Sequence, residues 1–173
     1  TDDHTGWVQF GEVLHITDKA ILSGEATPMI IVMPDADTGL PGYTNAISGK
    51  WNYEDFFFKE LMPHVEERFR IKKDKRYRAI SGLSMGGGGT FLYALHRPDL
   101  FSSAAPLSAS LGPQSLEEMN KFSYLGYKNS NFNLNDFKTY SEKNNPLKLV
   151  DQIDAEKLNS VRWYIDCGDD DFL

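Results

Sequence analysis

What this chain has little of narrows its chemistry first. It carries one cysteine among 173 residues, Cys167, so no internal disulfide can form. No Cys/His grouping has the spacing of a zinc site. Cys167 lies in a strand-like run and reads as a small buried apolar residue, not as a nucleophile. No apolar run approaches the roughly 20 residues that a membrane-spanning helix needs, so the reading includes no membrane partner. Positive charge is also scarce, with 18 Lys and Arg against 25 Asp and Glu and a net charge of −7. Basic residues gather only between Arg68 and Arg78, where Lys72, Lys73, Lys75, Arg76 and Arg78 read as a solvated helix-to-strand turn. A nucleic-acid groove is not expected in so acidic a chain. No repeat or low-complexity tract is present, and 40% hydrophobic content suits one globular domain with a core.

Taken in order, the chain alternates strand-like and helix-like segments. Thr1 to Trp7 is polar and glycine-containing and reads as a loop, followed by a helix over Val8 to Ser23. Pro28 to Asp35 is a short continuous apolar run between prolines, the pattern of a strand buried on both faces of a parallel sheet. Asp35 to Lys50, with Asp37, Gly39, Pro41 and Gly42, is a long loop of the kind that carries ligands at strand ends. Tyr53 to Phe69 places Phe56, Phe57, Leu61, Val65 and Phe69 at helical spacing, with Pro63 as a kink or break. Tyr77 to Ser81 is a strand, Thr90 to Leu95 a helix closed by Pro98, and Phe101 to Ser108 a strand. Together they make a βαβ unit of a parallel sheet. Residues 110–145 change character and read as a cap-like excursion, with Gln114 to Lys121 helical. The aromatics of the excursion, Tyr124 and Tyr127 among them, either line a pocket for a planar ligand or pack the cap onto the body. Leu147 to Leu158 is a helix and Val161 to Gly168 a strand.

The chemistry concentrates at Gly82-Leu83-Ser84-Met85-Gly86, which joins the Tyr77 strand to the Thr90 helix. G-x-S-x-G between a strand and a helix is a nucleophile elbow, a turn so tight that a Cβ at Gly82 or Gly86 is expected to collide with its surroundings. Such a turn lifts the Ser84 hydroxyl above the sheet edge and leaves the Met85 N–H at a helix N-terminus, where it can donate to an oxyanion. No Gly-Lys-Ser/Thr follows the glycines, which argues against a phosphate loop. A serine nucleophile needs a histidine base oriented by a carboxylate, and the acid belongs on the turn after a later strand. Asp169, Asp170 and Asp171 occupy such a turn, and spacing alone does not choose among them. The histidine should follow the acid. His4, His15, His64 and His96 all precede it; His15 and His64 read as surface or packing residues of helices, and His96 as a ligand for the carbonyls closing its own helix.

Arg78-Ala79-Ile80-Ser81-Gly82-Leu83-Ser84-Met85-Gly86-Gly87 resembles the esterase family of α/β-hydrolases. That family contains feruloyl and acetylxylan esterases (carbohydrate esterase family 1, esterase D-like), S-formylglutathione hydrolases, enterochelin esterases and mycolyltransferases. The likeness extends to Asp3, Gly6 and Trp7, to Pro28–Asp35, Tyr53-Glu54-Asp55-Phe56-Phe57, Arg97-Pro98-Asp99-Leu100-Phe101, Asn145-Pro146-Leu147 and the aspartate turn. It implies an α/β-hydrolase three-layer sandwich with a mostly parallel sheet, residues 1–173 forming one incomplete domain without its first strands and its C-terminal histidine segment. It also implies a secreted or periplasmic setting, no metal or cofactor, and ester cleavage through an acyl-serine. Carried onto this chain it makes Ser84 the nucleophile, Met85 an oxyanion donor and Asp171, three residues after Gly168, the acid. Trp7, Asp37, Tyr124 and Tyr127 are the candidate substrate-binding residues. The expected partner is an ester-bearing small molecule or polysaccharide, with feruloyl or acetyl esters of plant cell-wall polysaccharide as the leading substrates. A thioesterase of the S-formylglutathione hydrolase kind, an acyltransferase, and a non-catalytic binding module are the alternatives.

Overall fold

The structure is a computed structural model that describes residues 3–36, 42–121 and 131–170. The chain divides into two compact units, Thr1–Thr38 and Gly39–Leu173.

The first unit holds two helices, α1 (Thr5–Gln9) and α2 (Val13–Ser23). The expected loop through Trp7 is therefore helical from Thr5, and the expected single helix from Val8 is broken. The break lies at Phe10–Glu12, where Glu12 sits at φ 47°, a left-handed conformation that no α-helix can run through. Gly24 (φ 81°) then closes α2 in the left-handed conformation that only glycine adopts without a Cβ penalty. Pro28 to Asp35 forms no ladder among the described residues, and Met29, Ile30, Ile31 and Val32 stay well exposed. That corrects the expected doubly buried strand. Apolar composition marks a segment that would gain from burial, but a strand also needs a neighbour in register for its N–H and C=O groups.

The second unit is built on a three-stranded parallel sheet in the order β1 (Ala79–Leu83), β2 (Ser103–Leu107), β3 (Arg162–Trp163). Register runs from Ala79 opposite Ser103 to Leu83 opposite Leu107, as the βαβ reading requires. The crossover helix α5 (Met85–His96) carries the core. Leu92 and Tyr93 are buried with Phe101 against Phe57, Phe58, Ile80 and Leu149, and Ala94 packs with Ala104 and Val161. Full burial of side chains such as Leu92 or Phe101 contributes about 1.5–3 kcal/mol each. On another face of α5, Phe91 stacks on Trp163 of β3 with ring centroids 5.8 Å apart.

The aromatic helix runs as α3 (Tyr53–Phe56), a π-helical stretch Phe57–Leu61 and α4 (Met62–Arg68). Pro63 explains the wide stretch, because its ring cannot face the Lys59 carbonyl four residues back, and the Met62 N–H instead bonds the Phe57 carbonyl. Helices α6 (Leu116–Lys121), α7 (Leu134–Asn144), α8 (Pro146–Gln152) and α9 (Ala155–Asn159) complete the unit. The expected helix over Leu147–Leu158 is two helices, since Asp154 turns extended and caps the amides of Glu156 and Lys157. Among the described residues the expected strand to Gly168 pairs at Arg162–Trp163 and again at Asp166, and Cys167 is exposed, not buried. Nor is Arg78 a solvated residue: its guanidinium is mostly covered and donates to Glu66 and to the Leu100 and Lys73 carbonyls, tying α4 to the strand ends. Among the described residues no helix is long and apolar enough to cross a membrane.

Candidate active site

Ser84 is the single residue between β1 and α5. Its φ of 57° and ψ of −114° hold a side-chain-bearing residue in a region that glycine favours, a strain of about 1–3 kcal/mol. Three backbone bonds maintain it. The Ser84 N–H donates to the Leu107 carbonyl (3.0 Å), and the Ser84 carbonyl accepts from the Gly88 N–H (3.1 Å) and the Ser110 N–H (3.0 Å). Residue 84 is thereby clamped to the end of β2 and to the loop beyond it. Its side chain makes no capping bond to α5, and the residue is half-buried at the C-terminal edge of the sheet.

The glycines explain how the chain fits. A Cβ at Gly82 would lie 2.2 Å from the Gly86 carbonyl oxygen, and one at Gly88 would lie 2.1 Å from that of Ser110. Gly86 corrects the expectation: among the described residues a Cβ there meets only the Tyr43 hydroxyl at 3.6 Å, an ordinary contact. The steric demand falls on Gly82, Gly87 and Gly88, where backbone approaches backbone. Met85 opens α5, so its amide belongs to the first turn, where N–H groups have no intrahelical acceptor and the helix dipole favours negative charge.

The acid turn comes off the same edge. The Ser108 N–H donates to the Asp166 carbonyl (2.7 Å), and Leu107 bridges Asp166 in parallel register. Ser84 is thus beside Leu107, and Leu107 beside Asp166. Two strand spacings put the Asp166 backbone roughly 10 Å from that of Ser84. Asp169 and Asp170 continue from there as an exposed turn. Asp171, Asp37, Tyr124 and Tyr127 lie outside the described residues. Trp7 sits half-buried on α1 in the first unit.

Two histidines have defined partners. His4 Nδ1 is 2.7 Å from Asp35 Oδ2 in the first unit, and the His4 N–H donates to Asp35 Oδ1. His96 ends α5 about 18 Å of helix rise from Ser84, too far to take its proton. It does not close its own helix as expected. Nδ1 faces Glu54 Oε1 and Nε2 faces the Lys143 carbonyl, both at 2.7 Å, so the ring satisfies both acceptors only when doubly protonated. Burial works against that charge, but the Glu54 hydrogen bond and carboxylate, with the Lys143 carbonyl, outweigh it and raise the pKa above the ordinary 6.5. His15 and His64 are exposed on α2 and α4. Among the described residues no group of three or more His, Cys, Asp or Glu side chains is placed to hold a metal. Sequence reasoning missed Tyr43, Ser108 and Ser110. Only the run of glycines hinted that other residues must press close to this helix.

Residues 1–172 match the protein family described as "Putative esterase". The chain belongs to that family. Among curated esterase relatives, the endo-1,4-beta-xylanase/feruloyl esterase of Xylanibacter ruminicola is 33% identical over 132 residues, which are 72% of this chain and 17% of that protein. An esterase of Mycobacterium tuberculosis is 42% identical over 93 residues, 51% of this chain and 19% of that one. The alignments thus span less than a fifth of each curated relative. Among solved structures, a ferulic acid esterase superposes with a TM-score of 0.77 at 34% identity, covering 98% of this chain and 62% of its own. The Staphylococcus aureus serine hydrolase FphF, a fluorophosphonate-binding protein, superposes at 0.66 with 23% identity, which speaks for the shared fold alone. The esterase-family fold is the mostly parallel α/β-hydrolase sheet expected from the sequence.

Proposed function

We propose that this protein is a serine carboxylesterase that removes feruloyl or acetyl groups from plant cell-wall polysaccharide through an acyl-serine intermediate. The observation that carries the reading is the strained Ser84, held between β1 and α5 by three backbone bonds with the Met85 amide next to it in the first turn. Strain of this size persists where the surrounding structure over-determines it, and a nucleophile needs that presentation.

In the reaction, Ser84 Oγ attacks the ester carbonyl while a histidine base, oriented by Asp171, takes its proton. The Met85 N–H donates to the oxygen that gains charge, an interaction worth the most in the transition state. The C–O bond to the sugar alcohol then breaks as the base returns the proton, and water repeats the sequence on the acyl-serine. The substrate class draws support from the names of the two feruloyl-esterase relatives. Methyl ferulate, p-nitrophenyl acetate and S-formylglutathione offered to the purified protein test it. The proposal expects kcat/KM for the feruloyl or acetyl ester to exceed that for the thioester by about tenfold or more, and the reverse preference would replace it with a thioesterase.

A further inference from the structure

We propose that Tyr43 is a positioning residue, a splint laid along the first turn of α5 that keeps the Ser84–Gly86 backbone in its reactive geometry. The inference rests on the reading of Ser84 as the nucleophile. After Met85, helix α5 continues with four consecutive glycines, Gly86 to Gly89, the least helix-favouring run an α-helix can contain apart from proline. Without side chains of its own, this turn depends on its backbone bonds, on the Thr90 hydroxyl that donates to the Gly86 carbonyl (2.9 Å), and on the groups packed against it. On one side the leaning groups are backbone: Gly87 meets the Leu107 carbonyl and Ala109, and Gly88 meets the Ser110 carbonyl.

On the other side, among the described residues, they belong to Tyr43. A Cβ on Gly89 would lie 2.6 Å from Tyr43 Cγ and 3.0 Å from its Cβ, and a Cβ on Gly86 would lie 3.6 Å from the Tyr43 hydroxyl. The base of the ring therefore lies over Gly89 and its tip over Gly86. Positions three apart stack along a helix, so the long axis of the ring follows α5 and the hydroxyl lies toward the N-terminal end of the helix. Tyr43 is itself fixed from behind. The buried Tyr93 donates its hydroxyl to the Tyr43 carbonyl at 2.7 Å, and Tyr53 and Tyr93 meet the ring edge-on with centroids 5.6 and 6.1 Å away. A rigid aromatic core thus reaches through one side chain to the turn that carries Met85. Two of the glycines mark the space this ring fills, and the Tyr43 side chain replaces the contacts that glycine cannot make.

The test compares Tyr43→Phe, Tyr43→Leu and Gly89→Ala. Ester-hydrolysis kinetics are paired with amide hydrogen exchange of the peptide spanning Ser84–Leu92. Tyr43→Phe keeps the ring over Gly86–Gly89 and should lose less than Tyr43→Leu in both readouts. Tyr43→Leu should lower kcat about tenfold with KM nearly unchanged, since a small misplacement of reacting groups costs that much, and should speed exchange in this peptide while β2 is unaffected. Gly89→Ala should lower kcat and speed exchange in this peptide, because its methyl strikes Tyr43 Cγ and Cδ2 and displaces the ring. Unchanged exchange in Tyr43→Leu overturns the proposal whatever the activity does, and a loss confined to KM overturns it in favour of a substrate contact. The exchange readout needs no catalysis. If Ser84→Ala remained active while exchange still followed Tyr43, the nucleophile reading would fall and the splint would stand.

Discussion

Gly82 and Gly86 occupy equivalent places in the G-x-S-x-G pattern, yet the structure makes opposite demands of them. In Gly82→Ala the new methyl would sit 2.2 Å from the Gly86 carbonyl oxygen, where ordinary contact begins at 3.4 Å. The obstacle is backbone inside a turn already strained at Ser84, so it cannot swing aside like the end of a side chain. Overpacking of this kind costs about 1–3 kcal/mol, and the upper end applies because Gly82 is buried. For a chain of this size about 3 kcal/mol corresponds to a fall in Tm of roughly 6–12 °C. In Gly86→Ala the methyl finds ordinary space, and alanine is favoured over glycine in a helix by up to about 1 kcal/mol. Its Tm should therefore hold or rise by up to about 4 °C. Thermal melts of the two variants followed by circular dichroism settle the matter. A Gly82→Ala melt within about 2 °C of the parent, or equal losses in both variants, would refute the steric argument.

Two more predictions follow from the site and its surroundings. Ser84→Gly removes a Cβ from a conformation that glycine adopts freely, so it should raise Tm by about 2–4 °C, for roughly 1 kcal/mol released, while abolishing reaction with fluorophosphonates; a lower Tm would mean that residue 84 is not strained. The raised pKa of His96 makes its tie to Glu54 and Lys143 a stabilising contact at low pH. That contribution is fully present below the unfolded value near 6.5 and is lost as pH rises through the higher folded value. The stability lost in His96→Gln should therefore be larger at about pH 5.5 than at about pH 8.5, read by urea unfolding at both, and a constant difference would contradict it.

How much of this was legible in the sequence depends on whether the deciding contact is local. The elbow was, because strand, glycine, serine and helix follow one another and their sterics close within five residues. The β1–α5–β2 unit was legible too, since each segment shows its own period and the connections are short. Partnership was not. Pro28 to Asp35 has a strand's composition but forms no ladder among the described residues, and no property of the segment itself supplies a neighbour. His96 read as the cap of its own helix, while its ring bonds residues 42 positions before and 47 after it. Arg78 sits in a run of lysines and arginines that looks solvated, yet its guanidinium is mostly covered by Glu66 and two carbonyls. Gly86 illustrates the converse: the pattern suggests crowding, and the fold leaves room.

The central claim is that Ser84 is a nucleophile presented by a strained turn, and covalent labelling tests it most directly. The protein would be treated with a fluorophosphonate, digested, and mapped by mass spectrometry beside Ser84→Ala. The account predicts one adduct, on the peptide carrying Ser84, that disappears in the variant. An adduct that persists in Ser84→Ala, or that maps to another residue in the parent, would contradict it.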